Sequence, residues 1–270
     1  MIWSLNTLFI KPTLIKEKIK SCENTRFKAL ELWIEEIEND PKEVKKMLND
    51  CGLFVSSVEK LCGWFENDGE LMGVKNNHLE IIKECERRIE LCSMVGAKKI
   101  IACPAFSHRG HFSSMERGIN HFLEIKEIGE KYGVEVTLEF MGQTKQINTL
   151  SKALSFYEKT KSRLVIDAYH LWKSNEGKRL KDIEKEKISL LHISDANKEI
   201  LKEVHKDSDR VLPGEGCINL REFIFDAYQM NYDQEIALGV YNPKFWSLDP
   251  YEAVKLASKK CETLEREICY

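Results

Sequence analysis

The chain of 270 residues has no surplus of charge, with 41 basic against 44 acidic residues and a net charge of -3. No basic excess therefore points to nucleic acid as a partner. No apolar run approaches the ~20 residues that a membrane helix needs. The opening "MIWSLNTLF" is too short for a signal peptide and has no basic segment ahead of it. The nine cysteines form no C-x-x-C pair, and without a secretory signal they read as reduced thiols in a cytoplasm. Cys85 and Cys92, at helical spacing among apolar residues, read as core packing. No G-x-G-x-x-G follows the first strand, which argues against a nucleotide cofactor. No linker rich in Pro, Gly or Ser divides the chain, so residues 1–270 read as one domain.

What is present is an alternation of two kinds of segment. Short apolar or β-branched runs recur: "MIWSLNTLF", "FKALELWI", "GLFVSSVE", "KKIIACPAF", "VEVTLEF", "SRLVIDAY", "ISLLHISD" and "EIALGVY". Each has strand length, and their nearly continuous apolar character suits strands buried on both faces. Between them lie charged segments with apolar residues every three or four positions. In "HLEIIKECERRIELCSMVG", Leu79, Ile82, Ile89 and Met94 predict one apolar stripe, ended by Gly96. "SSMERGINHFLEIKEIGEKYG" predicts a helix opened by a capping box at Ser113 and closed at Tyr132-Gly133. Asp249-Pro250 predicts the start of the last helix. The mixed charges of Lys178 to Lys187 predict a solvated helix face. Eight strands and eight helical segments predict an α/β fold, a (β/α)8 TIM barrel, with a doubly wound open sheet as the alternative.

In such a barrel the chemistry lies at the C-terminal ends of the strands. The fifth strand ends on Glu139, the sixth on Asp167 and the seventh on His192. Carboxylates at the ends of apolar runs are costly to bury alone and far less costly around a cation. Glu, Asp and His together suit a divalent ion of the Zn, Mn, Co or Fe group; the alternative for each is a satisfied rim residue. Beyond them, His170 follows Asp167 on a predicted loop, within reach of a substrate oxygen. Arg210 opens "RVLPGEG", where it could clamp an oxyanion or hydroxyl. Glu215 reads as a turn residue or an outer acid/base. Specificity is expected from the loops "CGWFENDGELMG" and "SHRGHFSS", where Trp64 and Phe65 form an apolar wall over a ligand or pack on themselves. His108 and His111 read as an exposed pair.

The ordered set "LEF-G", "D-x-x-H", "H-I-x-D" and "R-V-L-P-G-E-G-x-I" resembles the xylose-isomerase-like TIM barrel superfamily, which includes sugar epimerases, inosose isomerase and dehydratase, dehydroshikimate dehydratase and endonuclease IV. Within it the chain most resembles inosose isomerase-type proteins. The resemblance implies a divalent cation (Mn, Co, Zn or Mg) on Glu139, Asp167 and His192, Glu139 as a base, and His170 and Arg210 as substrate contacts. It also implies Asn6, at the end of the first strand, as a substrate neighbour, to which the loop reading adds Trp64. The implied partner is a sugar or polyol ketone; relatives are often homo-oligomers. One departure stands out. Where the eighth strand of relatives reads V-E-L-F-x-P, this chain has Leu238-Gly239-Val240-Tyr241-Asn242-Pro243, so the second metal-ligand glutamate falls on Gly239. Glu235, four residues back, would lie about 13 Å lower, near the barrel floor. Three functions follow as alternatives: an isomerase or epimerase working by proton transfer beside a carbonyl, with Glu139 as catalytic base and His170, Glu215 or a bound water in place of the lost group; an inosose- or dehydroshikimate-type dehydratase; or a catalytically impaired homologue with a binding role. Repair of nucleic acid of the endonuclease IV kind would need further histidine ligands and basic loops.

Overall fold

The computed structural model describes residues 1–62, 72–75, 77–104, 114–144 and 146–269. Trp64, Phe65, His108, His111 and Ser113 lie outside them. Eight strands carry the architecture: β1 Ile2–Asn6, β2 Ala29–Trp33, β3 Phe54–Cys62, β4 Lys99–Cys103, β5 Glu135–Glu139, β6 Leu164–Asp167, β7 Ile188–Ile193 and β8 Glu235–Leu238. All pair in parallel with their sequence neighbours, and β8 closes on β1, so the sheet is a closed barrel and not the open alternative.

Two apolar layers hold it. The larger lies between the strands and the surrounding helices and contains residues such as Leu5, Leu30, Ile100 and Ile236. A smaller group, Ile101, Cys103, Met141, Val165 and Leu190, fills the barrel itself. Below that group the floor is polar: Lys99 Nζ donates to Glu235 Oε2 at 2.6 Å and to the Ser189 carbonyl at 2.9 Å. Glu235 is thus a floor residue, as its register along β8 predicts.

Among the described residues there are nine α-helical segments, one more than the periodicity predicts. The addition, α2 (Ile34–Ile37), is a single turn, too short to show a period. The others are α1 (Ile15–Ser21), α3 (Pro41–Asp50), α4 (His78–Val95), α5 (Met115–Tyr132), α6 (Leu150–Thr160), α7 (Ala168–Ser174), α8 (Leu220–Gln229) and α9 (Pro250–Cys269). In α4 the predicted stripe is misplaced. Leu79 and Met94 are exposed; the buried face is Ile81, Cys85, Arg88, Ile89, Cys92 and Val95. The two core cysteines lie on it, and Arg88 joins it because Glu84, one turn back, accepts its Nε at 2.6 Å. Ser114, one residue after the predicted cap, is the N-cap of α5 and accepts from Arg117 N. The charged run after α7 is not a helix face. It forms two 3-10 turns, Leu180–Asp182 and Lys185–Lys187, pinned because Leu180 and Ile183 are buried and Arg179 pairs with Asp226.

Irregularities in the strand pairing aim side chains at the barrel mouth. Leu30 pairs with Val55 and Glu31 with Ser57, so β3 carries an extra residue at Ser56. That bulge sets Ser57 Oγ against Glu31 Oε2 at 2.6 Å. A similar shift at Ser189 places Asp167 directly beside His192. After β7 a two-residue ribbon, Asp195–Ala196 against Arg210–Val211, runs antiparallel. The Asp195 carboxylate accepts backbone N–H groups from Gly214, Gly216 and Ile218 at 2.9–3.1 Å. Gly216 is required there: a Cβ would lie 2.1 Å from the Ala196 carbonyl oxygen.

Candidate active site

The strand ends converge on a cavity of about 440 Å³ whose wall includes Trp33, Glu59, Glu139, His170, Arg210 and Tyr241. Its size is that of a small-molecule site. Glu139 is the sequence-predicted ligand that reaches the wall; Asp167 and His192 stand just behind it, both 1% exposed.

His192 sits between two carboxylates. Its Nδ1 lies 3.1 Å from Glu139 Oε1 and its Nε2 2.8 Å from Glu31 Oε2. Burial alone would lower its pKa, but the Glu31 and Glu139 charges outweigh that and raise it well above the ordinary value. Glu31 is saturated: Asn6 Nδ2 donates to Oε1 at 2.6 Å, and Ser57 and His192 share Oε2. Burial would raise its pKa, yet the His192 charge and these bonds hold it low. This is the arrangement in which a carboxylate fixes one imidazole nitrogen and aims the other at a metal. Glu31 thus holds Nε2, and Nδ1 faces Glu139.

Asp167 caps α7, accepting from Tyr169 N at 2.8 Å, and its second oxygen accepts from Arg210 Nη1 at 2.7 Å. Burial would raise its pKa, but the Arg210, His170 and His192 charges outweigh it and bring it to about 2. Arg210 is itself 1% exposed. It also donates to Asp207 and stacks its guanidinium 4.0 Å above the Tyr169 ring. His170 lies on the first turn of α7, not on a loop, because Asp167 nucleates the helix directly after β6. It is buried on the cavity wall, and its Nε2 lies 3.3 Å from Arg210 Nη2. Burial, the largest influence, pushes its pKa down, so it is neutral. Its Nδ1 has no partner among the described residues.

Asn6 is fully buried and does not line the cavity. It holds Glu31, accepts from Trp33 Nε1 at 3.0 Å and donates to the Tyr241 hydroxyl at 3.3 Å. Glu215 is a surface turn residue paired with Lys260 at 3.0 Å and Lys244 at 3.7 Å. Trp64 lies outside the described residues.

Among the described residues, three groups of acid, histidine or cysteine side chains bring their ligand atoms within 4.8 Å of one another: Glu31, Glu59 and His192; Glu59, Cys103 and Glu139; and Glu139, Asp167 and His170. Glu139 belongs to two of them. Buried oxygen and nitrogen donors around one carboxylate, with an oriented histidine, fit a divalent cation of the Mn, Co, Zn or Mg kind. Glu31, Glu59, Asp207 and Tyr241 escaped the sequence reading. A signal for the first two was there: "ALELW" and "SSVEK" each carry a single carboxylate inside a buried strand.

A barrel of eight parallel strands with this mouth belongs to the xylose isomerase-like TIM barrel family, whose profile matches residues 20–266; the chain is a member of that family. Among individual proteins, it is similar to the inosose isomerase of Halalkalibacterium halodurans, at 29% identity over 202 residues covering 72% of this chain and 69% of that protein. The inosose isomerase of Bacillus licheniformis is 26% identical over 194 residues, covering 68% and 69%. Among solved structures, the IOLI protein, crystallised with a bound zinc atom, superposes with a TM-score of 0.86 over 99% of both chains, at 21% identity. No helix among the described residues is long and apolar enough to cross a membrane.

Proposed function

We propose that this single barrel domain is a divalent-metal-dependent isomerase or epimerase acting on a sugar or polyol ketone by proton transfer next to the carbonyl, with a keto-inositol as the first substrate to try. The observation that carries the reading is Glu139, which lines the cavity while its Oε1 lies 3.1 Å from His192 Nδ1. One carboxylate thus faces both a ligand set and a substrate space. The relatives named inosose isomerase support the substrate class.

The cation, which supplies Lewis acidity for the carbonyl and hydroxyl oxygens, would be held on Glu139 with Asp167 and His192, although the histidine whose ligand atom lies within 4.8 Å of both Glu139 and Asp167 is His170. Glu139 takes a proton from the carbon beside the carbonyl. His170, neutral and with Nδ1 available, contacts a substrate hydroxyl. Arg210 keeps Asp167 ionised and walls the cavity. Among the described residues, Lys11 and Arg210 are the basic side chains lining the cavity, against Glu59, Glu139 and Asp207. Since Arg210 is already engaged by two aspartates, that wall suits an uncharged polyol better than a phosphate. A purely binding role is less favoured, because burying these carboxylates and His192 around one point is costly without a use for them.

The test is solvent-deuterium exchange. In deuterated water the wild type should wash the proton from the carbon beside the carbonyl of a keto-inositol, and Glu139→Gln should abolish this. Equal exchange rates for the two proteins would remove Glu139 from the role of base.

A further inference from the structure

Gly239 stands where a carboxylate is expected, and the room it leaves is taken by another side chain. A Cβ built on Gly239 would lie 3.2 Å from the Tyr241 hydroxyl and 3.6 Å from its Cζ. The phenol has folded back along the end of β8 to the place where a side chain at 239 would start. It is held there on three sides: Asn6 Nδ2 donates to its oxygen at 3.3 Å, the Trp33 ring meets it edge-on with centroids 6.5 Å apart, and the Arg210 guanidinium lies 5.0 Å from its ring centroid. The hydroxyl is also what the phenylalanine of the V-E-L-F-x-P pattern lacks, so the loss of one polar group and the gain of another occur two residues apart.

Tyr241 and Glu139 line the same cavity from β8 and β5, three strands apart in a ring of eight. They therefore address a ligand from different walls. The surroundings favour the protonated phenol: burial raises its pKa and the Glu59 charge adds to this, against Arg210, with smaller contributions from Glu31 and Glu139. A phenol hydroxyl and a carboxylate thus face one cavity from two walls.

We propose that Tyr241 is a second proton-handling group of this site, acting on the substrate oxygens while Glu139 acts on the carbons. This rests on the isomerase reading above. The steps balance with these two groups alone. Glu139 accepts the proton of the carbon beside the carbonyl; the C–H electron pair becomes a carbon–carbon double bond, and the carbonyl π pair takes the Tyr241 proton, giving a neutral enediol. Tyr241, now a phenolate, accepts the proton of the neighbouring hydroxyl, whose electrons form the new carbonyl. The double-bond pair takes the proton back from Glu139 on the adjacent carbon. Both side chains end as they began, and one carboxylate suffices because the protons on carbon and on oxygen are carried separately.

The experiment compares wild type, Tyr241→Phe and the double variant Gly239→Glu with Tyr241→Phe, using a keto-inositol in deuterated water with product and label followed by NMR. Metal content is measured on each protein by plasma mass spectrometry. Loss of a positioned acid should lower turnover by roughly a hundredfold or more. Tyr241→Phe is expected to keep the wild-type metal content and about the wild-type KM while kcat and proton washout fall together. The double variant should regain part of the turnover. Turnover of Tyr241→Phe within about threefold of wild type, which is well short of the loss of a general acid, would overturn the role of Tyr241 and leave the isomerase reading standing. A metal-loaded wild type that washes out no proton from any keto-polyol would overturn the isomerase reading, and this inference with it.

Discussion

Replacing Gly239 by Glu tests whether the eighth strand still faces the ligand set. The backbone permits it, because Gly239 is not among the positive-φ glycines. The first atom of the new side chain meets the Tyr241 hydroxyl at 3.2 Å, so the ring must yield by a few tenths of an ångström. Gly239→Ala, the control, should cost less than ~1 kcal/mol. The carboxylate is another matter. It joins Glu31, Glu59, Glu139 and Asp167, against the cations His192 and Arg210, both of which already have carboxylate partners. An unpaired buried charge of this kind costs about 3 kcal/mol. With unfolding entropy near 2.1 cal/mol/K per residue, that lowers Tm by roughly 5 °C in chelator-treated protein. Added Zn or Mn should recover about half of that loss. A further carboxylate ligand should raise metal affinity at least about tenfold, or 1.4 kcal/mol, giving an extra metal-induced rise of about 2–3 °C over wild type. Thermal melts with and without metal, beside metal content by plasma mass spectrometry, decide it. A variant whose chelated Tm equals that of Gly239→Ala, and whose metal response equals that of wild type, would show that residue 239 does not face the site.

Two further outcomes follow from the same geometry. Glu31→Gln removes the charge that fixes His192 Nε2 and should weaken metal binding by roughly 10- to 100-fold in a chelator competition; an unchanged affinity would mean that Glu31 does not orient the ligand. The Asp167 carboxyl, held at about 2 instead of 3.8, is a depressed group, so its stabilisation is present above pH 4 and lost as pH falls toward 2. The shift corresponds to about 2 kcal/mol; urea midpoints of chelated protein at pH 5 and pH 3 should converge between wild type and Arg210→Met as pH falls, and parallel curves would contradict the pairing.

The barrel was legible because each strand is buried on both faces and therefore announces itself as an apolar run. Glu139, Asp167 and His192 were legible for the same reason, each being a polar residue at the end of such a run. Glu31 breaks that rule, because Leu32 and Trp33 continue the apolar run after it. The roles of Arg210 and Asn6 were not legible. Which carboxylate a guanidinium meets across 43 residues, or which glutamate Asn6 holds across 25, depends on register and bulges that no local pattern encodes. The α4 stripe failed in an instructive way: Arg88 lies on the buried face because Glu84 partners it, and a rule that sorts residues by polarity moves the stripe off it. Tyr241 was hidden because a side chain that folds back toward a glycine two residues earlier leaves no periodic trace.

The single carboxylate of Asp195 has a consequence for ligand binding. By accepting three backbone N–H groups from the turn that follows the ribbon, it fixes the segment that begins with Arg210 as part of folding. Ordering a loop costs conformational entropy whenever it occurs. Here that cost falls on the folding of the barrel and not on the arrival of a ligand, so this side of the cavity meets its substrate already formed.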